Sequence, residues 1–66
     1  MSYSLIISNY PTRTSEIKTF TNIRHALNYF IERCDELGLE YREDNNGNFL
    51  AGGIGSDYSL ELTSNF

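Results

Sequence analysis

Cys34 and His25 are the only thiol and the only imidazole in the chain. These are the two side chains most readily poised as nucleophile and base near neutral pH. Their spacing denies them that partnership. They fall in one stretch of helical periodicity, about two and a half turns apart and on opposite faces. Cys34 lies on the apolar stripe, three residues after Ile31 and three before Leu37. A buried thiol with no assisting cation has a raised pKa and is inert. His25 shares an exposed ridge with Tyr29, Glu32 and Glu36. From His25 to Glu32 is about 10 Å along a helix axis, too far for one metal ion or one proton transfer. His25 therefore reads first as a solvated surface residue and second as a contact for a partner. One cysteine and one histidine cannot supply the four ligands of a structural zinc site, and a single cysteine cannot close a disulfide within the chain. Neither a metal nor a cofactor is expected.

Three other groupings point toward chemistry and fall short of it. The run Asp44-Asn45-Asn46-Gly47-Asn48 has the oxygen-rich character of a calcium loop. Counted from Asp44, however, position 6 is Phe49 and position 12 is Gly55, where an EF-hand needs Gly and a bidentate Glu. A type I′ hairpin turn at Asn46-Gly47 is the better reading. Gly52-Gly53-Ile54-Gly55-Ser56 has the look of a phosphate cradle, but such a loop must open a helix and carry a lysine. Here a strand follows, so the glycines mark a turn and a bulge. Tyr10, Tyr29, Phe49 and Tyr58 suggest stacking on nucleic-acid bases; the basic groove that accompanies such platforms is missing, and core packing explains them better. The remaining opening for acid–base chemistry is a carboxylate pair, if strand pairing brings Glu43 and Glu61 together. No catalytic residue is assigned, and the chain is expected not to be an enzyme.

The elements that would position these residues follow from periodicity. Ile23, Ala26, Leu27, Phe30, Ile31, Cys34 and Leu37 recur at a 3.6-residue period and predict one amphipathic helix. Thr21 or Asn22 suits its N-cap, and Gly38 suits its C-terminal closure. Before the helix, Tyr3 to Tyr10 alternates as a strand with Tyr3, Leu5 and Ile7 on one face and Ile6 on the other. Pro11 ends it. Ser15 to Phe20 is expected to be a second, shorter strand with Ile17 inward. After the helix, Leu39 to Asp44, Phe49 to Ile54, and Tyr58 to Thr63 read as strands, the last with Tyr58, Leu60 and Leu62 inward. The expected fold is a single α+β domain over residues 1–66, ordered ββαβββ. One helix covers one face of a mostly antiparallel sheet, and the other face stays wet.

Sixty-six residues bury only about 60% of the surface the unfolded chain exposes, so stability is expected to be marginal. Five Tyr and four Phe offset this, since each aromatic ring can bury about 150–250 Å². Leu5-Ile6-Ile7 is too short for the hydrophobic region of an export signal, and no stretch has the length of a membrane span. With its lone cysteine the chain is expected in the cytoplasm, a host's if the source is viral.

Net charge is −4, which argues against a general affinity for nucleic-acid backbone. Its distribution is more informative. Residues 1–31 carry three cations against Glu16, a balance of +2, and residues 32–66 carry eight acids against Arg33 and Arg42, a balance of −6. Six acids, Glu32, Asp35, Glu36, Glu40, Glu43 and Asp44, crowd into thirteen residues. The first three fall in the last turns of the helix, where the macrodipole is negative, while Arg24 and His25 fall at its positive end. Both placements oppose the favourable arrangement, and local rule-breaking is where function concentrates. A solubilising role is the simpler alternative.

The expected function is a protein-interaction module whose acidic side docks on a basic partner protein, with Tyr29 as aromatic anchor. In bulk properties alone it is similar to small phage-encoded inhibitors of host defence, which suggests an inhibitor occupying a nucleic-acid-binding groove. The alternatives are a self-associating homodimer built through the open sheet, whose free face carries Ile6, and single-stranded nucleic-acid binding by the aromatics.

Overall fold

Alternation in the first strand separates a mostly apolar face from a mostly polar one, and the fold is built on that asymmetry. In the computed structural model, which describes residues 2–53 and 55–65, β1 (Ser2–Asn9) buries Leu5 and Ile7 and leaves Ser4, Ile6 and Ser8 on the opposite side. A turn follows in which Pro11, with its φ already restricted, lets the Arg13 amide donate to the Tyr10 carbonyl at 3.1 Å. β2 (Thr14–Phe20) then returns antiparallel in unbroken register, from Asn9 opposite Thr14 to Tyr3 opposite Phe20.

This register corrects the expectation for Ile17. It stands opposite Ile6 on the face away from the helix and is 66% exposed. The inward positions of β2 belong to Glu16, Lys18 and Phe20, opposite Ile7, Leu5 and Tyr3. Phe20 and Ile17 differ in parity, so a strand can turn only one of them to the core. Phe20 is the one that meets an aromatic partner there, Tyr29, at 5.7 Å between ring centroids.

The helix α1 (Ile23–Leu37) forms as its periodicity predicts, burying Ala26, Phe30 and Cys34 along its centre line. Asn22 is the N-cap; its side-chain oxygen accepts from the amides of Arg24 and His25 at 2.8 and 3.3 Å. Gly38 closes the helix in a left-handed conformation, with its own amide bonded to the Asp35 carbonyl and that of Leu39 to the Cys34 carbonyl. This pair of bonds satisfies carbonyls that the helix end would otherwise orphan.

Beyond the helix come β3 (Tyr41–Glu43), β4 (Phe49–Gly52) and β5 (Tyr58–Asn65). All pairings are antiparallel and the sheet order is β2-β1-β5-β4-β3. The two longest strands are thus central, and β2 and β3 are the edges. The β3–β4 turn also differs from expectation. The Gly47 amide bonds to the Asp44 carbonyl at 3.3 Å, and the Asp44 amide to the Asn48 carbonyl at 2.8 Å. Gly47 has φ +82°, while Asn46 keeps a negative φ. This is the three-residue loop in which a type I turn is followed by a left-handed glycine bulge, not a two-residue type I′ turn. Asp44 decides the outcome: one of its carboxylate oxygens accepts from the amides of Asn46 and Asn48 at 2.8 and 2.9 Å, and that bridge holds the longer loop. Gly52 is left-handed at the end of β4, but it pairs one for one with Ser59, so the bulge expected there is not formed at Gly52; Ile54, counted with that strand in the sequence reading, lies outside the described residues.

The core is one layer between α1 and the sheet. Leu5, Ile7, Leu60, Leu62 and Ala51 rise from three central strands to meet Ala26, Phe30 and Cys34. Phe30 sits edge-on to Tyr41 and tilted against Phe49. With these rings the helix reaches from the β5 centre to the β3 edge. The expected α+β fold, ββαβββ with one helix on one face of an antiparallel sheet, is the fold observed.

Candidate interaction surface

Cys34 is fully buried in the core. Burial, and secondarily the negative charge of Asp35, push its thiol pKa up, so the sulfur stays protonated and unreactive. His25 is exposed on the outer side of α1. Glu43 and Glu61 do not meet. Glu43 is opposite Phe49 on the helix side of the sheet, and Glu61 is opposite Ile6 and Leu50 on the open side. The carboxylate pair that strand pairing could have made is therefore divided by the sheet itself. Among the described residues no three or more His, Cys, Asp or Glu side chains gather as a metal ion would require, and no helix is long and apolar enough to cross a membrane.

The seven residues assigned to partner binding fall into distinct settings. Tyr29 is half-buried, not free. Its ring packs on Phe20, with the Lys18 Nζ 5.1 Å and the Arg33 Cζ 5.8 Å from its centroid. Cations at this range are held by the quadrupole of the ring. This pins the aromatic as a rigid platform between α1 and β2. Glu36 is exposed and accepts from the Arg33 guanidinium at 2.8 Å. Glu32, Asp35 and Glu40 are exposed, and among the described residues their side chains find neither an ion-pair nor a hydrogen-bond partner. Glu43 lines a cleft of about 430 Å³ with Ile23, Leu27 and Phe49, close to the first turns of the helix. Asp44 is committed to its turn: the Asn48 amide first, and then that of Asn46, hold its carboxyl below the usual range.

The acidic band is therefore divided in space. Glu32, Asp35 and Glu36 share the C-terminal half of α1, and Glu40 follows just past Gly38. Glu43 lies beside the N-terminal half, and Asp44 is a turn residue. Arg33 and Lys18 are the residues that sequence reasoning passed over. Arg33 had a signal, because it stands four residues after Tyr29 and three before Glu36, spacings that make neighbours on a helix. Lys18 had none, since its approach to Tyr29 depends on the docking of two separate elements. Arg33 also lines a second cleft of about 430 Å³ with Ile7, Asn9, Glu16, Leu37 and Tyr58.

The open face is ordered in rows. Ile17, Ile6, Glu61, Leu50 and Arg42 form one row across all five strands. Ser15, Ser8 and Ser59 flank it on one side, and Thr19, Ser4 and Thr63 on the other. Of the four aromatics weighed for base stacking, Phe49, Tyr58 and Tyr29 lie on the helix side. Tyr10 alone reaches toward the open face, its hydroxyl 3.0 Å from the Ser59 Oγ.

Fold and surface together define a small α+β domain with one covered and one open sheet face. Compared with known protein families, curated proteins and solved structures, the chain matches none.

Proposed function

We propose that the chain is a protein-interaction module that docks the acidic C-terminal half of its helix on a basic partner protein. The observation that carries this reading is the set of exposed, unpaired carboxylates Glu32, Asp35 and Glu40 at the helix's negative end. No basic residue occupies the last turn to offset them. Charges held against a dipole cost a little stability but give a directed field that speeds encounter with a cationic surface. Tyr29, fixed between Phe20 and two cations, supplies the rigid aromatic beside them. The fitting partner is a nucleic-acid-binding protein of the cytoplasm, whose groove the carboxylates enter in place of phosphates, so that the module acts as an inhibitor.

The test is capture from a host lysate on the immobilised domain, followed by elution with double-stranded DNA. Wild type should retain basic nucleic-acid-binding proteins that DNA releases. The triple variant Glu32→Lys, Glu36→Lys, Glu40→Lys should retain none of them while keeping its helical circular dichroism. Equal capture by both proteins would reject the reading.

A further inference from the structure

The two edges of the sheet are managed differently. β3 is three residues long, and a short strand offers little to pair with. β2 is seven residues long and contains no proline, and its register against β1 is unbroken by any bulge. Its outer edge is a row of backbone donors and acceptors, of the kind that recruits another strand.

The sequence of β2 says which strand fits. Thr14-Ser15-Glu16-Ile17-Lys18-Thr19-Phe20 is self-complementary about its middle residue. Laid antiparallel against its own copy with the two-fold axis at Ile17, Glu16 stands opposite Lys18 of the partner subunit, and Lys18 opposite Glu16 of the partner subunit. Ser15 meets Thr19 of the partner subunit. Ile17 meets its own counterpart on the open face, where it is the most exposed large apolar side chain among the described residues. Directly opposed strand residues have Cβ atoms about 4.5–5.5 Å apart, close enough for opposite charges to attract and like charges to repel. A centre on Glu16 would oppose two carboxylates, and one on Lys18 two ammonium groups. A shift by a single residue would turn every side chain to the wrong face. Only the Ile17 register satisfies charge, apolar contact and facing together. A lone lysine here would guard the edge; with Glu16 two residues before it, the guard becomes a match.

We propose that the protein forms a two-fold dimer in which β2 pairs antiparallel with β2 of a second copy, centred on Ile17, to make one continuous ten-stranded sheet. The helix packs chiefly over β5 and β1, so two β2 strands separate the two helices. The apolar row of the open face then runs unbroken through Ile6 and Ile17 of both subunits. This assembly draws on Glu16, Ile17 and Lys18, which lie outside the acidic helix face; because Lys18 also lies over the Tyr29 ring and pairs with Glu16 at 3.6 Å, the dimer is read from solution mass, and the docking proposed above from the Glu32, Glu36 and Glu40 reversals.

Light scattering on the purified chain, over a concentration series, should give twice the 7.6 kDa chain mass. Glu16→Lys and Lys18→Glu should each weaken the dimer by roughly tenfold or more, because each replaces two attractions by two repulsions. Mixed in equal amounts, the two variants should recover a heterodimer, since Lys at 16 then faces Glu at 18 across the axis. That recovery also certifies that both variants are folded. A monomeric wild type would overturn the proposal, leaving the edge open to a strand of another protein. So would dimerisation unaffected by the single reversals, or a mixture that fails to recover it.

Discussion

Gly52 and the carbonyl group of Tyr58 occupy adjoining space where the β4–β5 ladder ends. A Cβ on Gly52 would overlap the Tyr58 oxygen and lie 3.0 Å from its carbon, and the backbone there has φ +75°. Both obstacles are backbone, so neither can rotate aside. The close approach is what lets β4 turn away while its last residue still pairs with Ser59.

Gly52→Ala should therefore destabilise beyond the roughly 1–3 kcal/mol of a non-glycine residue forced to positive φ. In a domain whose whole stability is on the order of 3–10 kcal/mol, that is a large share of the total. The control is Gly47→Ala. Gly47 has a similar φ of +82° but nothing within 4 Å of its Cβ position, so it should show the strain alone. Urea denaturation of the two variants separates the effects; equal midpoints would show that the Tyr58 carbonyl imposes nothing.

Asp44 links the β3–β4 turn to pH. Its amide partners at Asn48 and Asn46 hold its carboxyl below the ordinary value of 3.8. A depressed folded-state pKa means that the unfolded chain takes up the proton first on acidification. The stabilisation is therefore full above the unfolded value and is lost as pH falls through the folded one. Asp44→Ala should be less stable than wild type at neutral pH, and the gap in Tm should close as the pH is taken below the carboxylate range. A gap that stayed constant with pH would mean that the carboxylate charge does not close this turn.

The same turn marks where sequence reasoning stops. Asn46-Gly47 is a strong local signal for a two-residue hairpin, and glycine does take the positive φ. What lengthens the loop is the side chain of Asp44, whose bond to the Asn48 amide spans the turn and competes with the tighter closure. The helix carried no such ambiguity. Its apolar stripe, its asparagine cap and its terminal glycine all agree, and agreement across levels is what makes an element readable. β2 is the opposite case, because Ile17 and Phe20 make equal claims to the inside from positions of unlike parity. The deciding contact, Phe20 on Tyr29, joins residues that only the folded chain brings together. For that reason the exposed Ile17 edge was invisible beforehand, and so was the Lys18–Tyr29–Arg33 arrangement. The charges were legible as a list, but their division between the helix end, the cleft and the turn depends on where β3 is carried after Gly38.

Asp35 offers a way to separate the cost of the acidic helix end from its use. It lies in the last turn of α1, exposed, with no side-chain partner, and its charge also opposes ionisation of the Cys34 thiol beneath it. A cation in that position would align with the macrodipole, a gain of about 0.3–1 kcal/mol at an exposed site. Asp35→Lys should therefore raise the thermal midpoint slightly, while reducing capture of basic proteins by the immobilised domain. Glu36→Lys differs because it forfeits the bond to Arg33, so its dipole gain should be largely cancelled. A chain that keeps a carboxylate where lysine is more stable must gain something else from the carboxylate, and in the proposed function that gain is docking on a cationic surface. If Asp35→Lys instead lowers the midpoint, the acid is serving the fold, and the argument from its unfavourable placement fails.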